Sequence, residues 1–135
     1  MGNHTYSHQR MVFKGGRFID DELDKTNALI RDAGYTGEIM FRPPFGKKLA
    51  LLPLALKERG MTTVMWSMEP ESEPDAAEAA GRIAGYVMEN VRAGDIIPLH
   101  IMYDGGAASR EAIPVFVKQL QEKGYSFVAV SELPE

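Results

Sequence analysis

The sequence predicts an α/β protein of parallel strand–helix units. Short apolar runs rich in β-branched residues alternate with stretches of helical apolar spacing, and a glycine follows each helical stretch. The first helix is expected over residues 20–33, with Leu23, Leu29, Ile30 and Ala33 inward and Gly34 as its stop. A strand over 39–42 then runs into Pro43-Pro44. Residues 47–59 read as a second helix, with Pro53 tolerated where regular structure begins and Gly60 ending it.

A second strand is expected over 62–67, followed by an acidic, proline-containing loop over 69–74. Asp75 and Glu78 carry a loose capping-box pattern, opening a helix to about Arg92 that buries Ala80, Ile83, Val87 and Val91. The third strand covers 95–100, with Pro98 marking an edge or a bulge. Ser109 is the expected cap of a last helix, with the stripe Ile113, Phe116, Val117 and Leu120 and a stop at Gly124; a fourth strand covers 125–130. The order β-α-β-α-β-α-β implies a parallel sheet with right-handed crossovers.

The 135 residues suit one domain over 1–135 and fall short of a complete (β/α)₈ barrel, which takes about 250. Net charge −4 without a basic run argues against a nucleic-acid surface. No apolar window is long enough to span a membrane, and the first residues carry no signal-peptide pattern. With no cysteine there is no disulfide, thiolate ligand or thiol nucleophile; the compartment stays open.

In parallel α/β folds ligands bind at the carboxyl ends of strands. Here those ends carry Arg42 with Pro43-Pro44-Phe45-Gly46, Trp66 with Glu69, and His100. His4 and His8, four residues apart, can share a metal such as zinc if they project from one face; two surface histidines would show the same spacing. A catalytic zinc also needs a third protein ligand. His100 can act as general acid or base, or simply satisfy a hydrogen bond at a sheet edge. Arg42 can fix a carboxylate bidentately or make a surface ion pair, and Trp66 reads as part core, part pocket wall.

Together these segments resemble the NodB-type polysaccharide deacetylases, carbohydrate esterase family 4. Gly2-Asn3-His4-Thr5-Tyr6-Ser7-His8 is similar to the H-[ST]-x-x-H metal motif, and Phe41-Arg42-Pro43-Pro44-Phe45-Gly46 to the F-R-P-P-[YF]-G loop. Trp66-Ser67-Met68-Glu69 matches a tryptophan followed by an acid, usually aspartate, and Gly94-Asp95-Ile96-Ile97-Pro98-Leu99-His100 a segment ending in L-x-H. The stretch 123–133 is similar to the C-terminal strand.

The resemblance implies part of a distorted (β/α) barrel, related to the TIM barrel, with its N-terminal strands missing. It implies metal-dependent removal of N-acetyl or O-acetyl groups from an acetylated oligo- or polysaccharide. His4 and His8 would hold the metal, most simply zinc. Arg42 would orient the catalytic aspartate, and the Phe45 N–H would bind the oxyanion. Trp66 and Leu99 would line the acetyl pocket, His100 would protonate the departing amine, and Glu69 would stand in for the acid beside that histidine. The family's T-F-D-D-G string, which supplies the base and the third ligand, does not occur; Asp20-Asp21 lies at an expected helix start and inherits neither role. Impaired hydrolysis is therefore expected, and exposed strand edges favour a homo-oligomer or complementation by an N-terminal segment. A non-catalytic carbohydrate-binding or assembly module, or an amidase acting on a small non-sugar amide, are the alternatives.

Overall fold

The structure, a computed structural model, describes residues 1–74 and 79–133. The Asp75/Glu78 capping pattern lies outside the described residues. The chain divides into two compact units, Met1–Met65 and Trp66–Glu135.

In the first unit, β1 (Gly2–Asn3) pairs in parallel with β2 (Met40–Phe41), with Gly2 opposite Met40 and Asn3 opposite Phe41. Two residues suffice for β1 because Asn3 is fully buried and the Arg42 N–H extends the ladder to the Asn3 carbonyl at 2.9 Å. Helix α1 (Gly16–Asp32) joins them and starts four residues before its expected boundary. The reason is Ile19, which forms the buried stripe with Leu23 and Ile30, leaving Leu29 and Ala33 exposed. Gly34 takes φ 87 after the helix, a left-handed backbone that glycine adopts without a Cβ penalty. Helix α2 (Leu51–Glu58) is shorter than expected, with Pro53 in its first turn, where a missing N–H breaks no helical bond. Met11, Ile19, Leu23, Phe41, Leu52 and Leu56 form the core of this unit.

The expected strand over 62–67 is reduced to a single parallel bridge between Phe41 and Thr63. The Phe41 N–H donates to Thr62 at 2.8 Å and the Val64 N–H to Phe41 at 2.7 Å, and the pairing goes no further.

In the second unit, α3 (Ala80–Asn90) and α4 (Ala107–Glu122) pack through Ile83, Ala84 and Val87 on one side and Ala108, Ala112, Phe116 and Leu120 on the other. Ala80, Val91, Ile113 and Val117 are half-buried around that core. The strands expected over 95–100 and 125–130 do not form among the described residues. The Ser67 N–H donates to Ile96 at 3.1 Å, but the return bond from the Ile96 N–H goes to the Ser67 hydroxyl instead of a carbonyl. Pro98 then has no N–H with which to continue a ladder. Phe127 and Val128 stay exposed at 53% each; apolar, β-prone residues form no strand without a neighbour. Among the described residues, no helix is long and apolar enough to cross a membrane.

Candidate active site

The carboxyl ends of β1 and β2 lie side by side, which brings His4 next to Arg42. The His4 ring donates from Nδ1 to the Arg42 carbonyl at 2.7 Å, because a carbonyl can only accept. His4 Nε2 is therefore the lone-pair nitrogen, and it lies 3.1 Å from His8 Nε2. Their ring centroids are 4.8 Å apart.

This geometry depends on a loop with unusual backbone. Thr5 and His8 take φ 65 and φ 54, left-handed values that cost a non-glycine residue about 1 kcal/mol each. Buried polar groups offset that strain. Asn3 Oδ1 accepts the Thr5 N–H at 2.8 Å, and its amide donates to the Leu23 carbonyl and to Asn27 Oδ1. The Thr5 hydroxyl accepts the His8 N–H at 3.1 Å, and the buried Glu22 carboxylate accepts the Ser7 N–H at 2.7 Å. Sequence reading missed Asn3 and Glu22 as supports. An acid on the apolar face of α1 was the available signal for Glu22, and nothing in the local sequence marked Asn3.

Two nitrogens bound to one tetrahedral zinc at about 2.0–2.1 Å lie about 3.3 Å apart. The 3.1 Å separation, with His4 fixed through its other ring nitrogen, fits that donor pair. No cluster of three or more His, Cys, Asp or Glu capable of holding a metal occurs among the described residues.

Phe45 also has a left-handed backbone, φ 58, between Pro44 and Gly46. Its ring lies 5.1 Å from that of His8, and the Arg10 guanidinium sits 5.2 Å above it. Arg42 is half-buried, and burial lowers its pKa from the ordinary arginine value.

In the second unit His100 meets a carboxylate, and that carboxylate is Glu71. The His100 N–H donates to Glu71 Oε1 at 2.8 Å, and its ring Nδ1 bonds Glu71 Oε2. Sequence reading assigned Glu69 to this ring. The correction follows from the turn over Pro70–Ser72, in which Glu69 is the residue before the turn and Glu71 is at its centre. Ser109 bonds the same carboxylate at Oε1. It does not cap α4; Gly106 occupies the cap position and Ser109 lies in the first turn, 3% exposed.

Burial pushes the Glu71 carboxyl up, but hydrogen bonds from Ser109 and from the backbone and ring of His100 outweigh it, so its pKa lies below the ordinary value. Glu71, His100, Tyr103, Gly105, Gly106, Ala108 and Ser109 line a cavity of about 220 Å³. A Cβ on Gly106 would lie 2.2 Å from the His100 carbonyl oxygen, so only glycine fits beneath that histidine. Trp66 and Leu99, expected in the acetyl pocket, do not line this cavity; Trp66 is half-buried and Leu99 packs on the α3–α4 core.

The first unit thus holds an imidazole pair at adjacent strand ends, and the second holds a histidine bonded to a carboxylate. The polysaccharide deacetylase family model matches residues 1–64. A peptidoglycan-N-acetylglucosamine deacetylase of Bacillus cereus is 29% identical over 98% of this chain and 62% of its own length. A family 4 carbohydrate esterase from Streptomyces lividans, solved with acetate, superposes with a TM-score of 0.81 at 26% identity, covering 98% of this chain and 67% of that one. A family 4 pseudoenzyme from Bacillus anthracis does so with a TM-score of 0.81 at 27% identity, covering 98% of this chain and 45% of that one. Over residues 1–64 the chain matches the polysaccharide deacetylase family, and its α/β fold is of the NodB-like partial-barrel type seen in the family 4 structures. It spans less than two thirds of the curated B. cereus relative.

Proposed function

We propose that this chain carries part of a metal-dependent deacetylase site acting on an acetylated oligo- or polysaccharide. The carrying observation is the His4–His8 pair, with Nε2 atoms 3.1 Å apart and the His4 ring anchored on the Arg42 carbonyl. These two residues hold the divalent cation, zinc by donor chemistry. Lewis-acid polarisation of the acetyl carbonyl is what a zinc ion held there supplies.

The chain's own residues supply part of the rest. The Phe45 N–H stabilises the developing oxyanion, and Arg42 orients a carboxylate. The acetyl-pocket role of Trp66 and Leu99 and the substrate-side role of Glu69 rest on the sequence resemblance alone. His100 protonates the departing sugar amine, and Glu71 holds its ring so that Nε2 carries the transferred proton. Neither a T-F-D-D-G string nor a three-ligand cluster among the described residues supplements this set, so the chain by itself turns over slowly. Exposed Phe127 and Val128 favour self-association or pairing with an N-terminal segment, which light scattering of the chain reads directly.

The test is acetate release from N-acetylglucosamine oligomers and from peptidoglycan, with and without zinc. Slow, zinc-dependent release abolished by His8→Ala is expected. Fast release that ignores both zinc and His8→Ala contradicts the reading. The two-ligand set also favours a second reading, a carbohydrate-binding module without turnover. Calorimetric binding of the oligomers with no acetate released would select it.

A further inference from the structure

We propose that Ser109 is a positioning residue for His100, acting through Glu71 and tying the imidazole to helix α4. The inference rests on the reading of His100 as proton donor to the leaving amine. It names a residue that the resemblance does not supply.

The geometry points one way. The single hydroxyl proton of Ser109 is donated to Glu71 Oε1, and His100 does not contact that hydroxyl. Nothing therefore removes the proton, and Ser109 is not a nucleophile. Glu71 accepts from three donors: the Ser109 hydroxyl, the His100 N–H and the His100 ring. Two of these belong to His100 itself, so without Ser109 the carboxylate and the imidazole could swing together.

Ser109 is the one donor fixed to a core element. It is 3% exposed and sits beside Ala108 and Ala112, which pack against α3. The His100 side chain is 50% exposed, so water competes for its ring and local packing alone cannot orient it. The lowered pKa of Glu71 agrees with a carboxylate held in its charged form by these donors. The ionisable groups nearest along the chain are Glu69 and Glu73 beside Glu71, Tyr103 and Asp104 before α4, and Arg110 and Glu111 in its first turns; Lys118 and Glu122 lie further along α4, and Arg82, Tyr86 and Glu89 on α3. Arg110 is engaged by the carbonyls of Ile101 and Tyr103, and the Tyr103 ring stands 6.3 Å from that of His100.

The experiment is side-chain NMR on the full chain without added metal, comparing wild type with Ser109→Ala and Ser109→Cys. The Glu71 carboxyl carbon and the His100 ring nitrogens are followed through a pH titration. In Ser109→Ala, Glu71 is expected to titrate at higher pH than in the wild type, because a donor to its charged form is gone. The His100 nitrogens are expected to move from one dominant Nδ1–H tautomer toward the mixture of a free imidazole. Ser109→Cys keeps the size and a weak donor, so it is expected to fall between the two, and it decides the matter if the alanine variant does not fold. Unchanged Glu71 and His100 signals in a folded variant overturn the proposal. No acetate release by the wild-type chain, together with both changes in Ser109→Ala, overturns the deacetylase reading and supports the positioning role.

Discussion

In the N-terminal unit His4 and His8 sit on a loop clamped by fully or nearly buried polar side chains, Asn3 and Glu22. In the C-terminal unit His100 is half exposed and takes its orientation from one carboxylate and the helix behind it. In the proposed role as ligands of one ion, both rings must be fixed, and the left-handed backbone at Thr5 and His8 is where this loop carries strain. The proton-donor role proposed for His100 needs one correctly aimed nitrogen and access to the substrate, and a half-exposed ring on a carboxylate meets both needs. The first arrangement is therefore expected to fail by unfolding its loop, the second by misdirecting its ring.

Gly106→Ala should separate the two regions most sharply. A Cβ 2.2 Å from the His100 carbonyl forces the backbone apart, at a cost of about 3 kcal/mol. Chemical denaturation would show that loss, and NMR would show the His100–Glu71 contact broken while the His4–His8 signals persist. Asn3→Ala strikes the other region. It leaves the Leu23 carbonyl, Asn27 and the Thr5 N–H without their partner and is expected to cost about 2 kcal/mol. Zinc affinity should fall with it, and a variant that binds zinc as wild type does would break the link between the buried asparagine and the loop.

Acid sharpens the contrast further. The Glu71 pKa lies below its ordinary 4.5, so its stabilising contribution is complete above that value and is lost as pH falls toward the folded-state pKa. Glu71→Gln should flatten the stability curve in that acid range and lower stability at neutral pH, as urea midpoints across the range would show. The smallest effect is expected at Arg59, which pairs with Asp20 at 2.8 Å and with Asp24 at 3.3 Å. Burial lowers the Arg59 pKa, and these two carboxylates more than reverse it. Both carboxylates are exposed, so Arg59→Ala should cost only about 0.5 kcal/mol, with high salt removing most of the difference.

The helices were legible in the sequence because an apolar stripe and a following glycine are local signals, as at Ile83 and Val87 or Gly34 and Gly124. The strands were legible only in part: β2 falls inside the expected run 39–42, whereas 95–100 and 125–130 form no strand among the described residues. Val128 and Phe127 have the right propensity, but a strand exists only when a neighbour pairs with it, and that information is not local. The short β1 escaped notice for the opposite reason: two residues carry no period, yet they pair because Met40 and Phe41 lie alongside.

Among the site residues, the His4–His8 spacing was readable, whereas the partner of His100 was not. Glu69 and Glu71 are both plausible by composition, and the turn at Pro70 decides which carboxylate reaches the ring. Ser109 looked like a helix cap because serine favours that position, but its burial against Glu71 arises from tertiary packing.

Calorimetric titration of zinc into the wild-type chain and into His4→Ala and His8→Ala tests the central claim most directly. One zinc per chain, lost in both variants while their fold is retained, is the expected result. Zinc binding of unchanged affinity in either folded variant would contradict the assignment of that pair as the metal ligands.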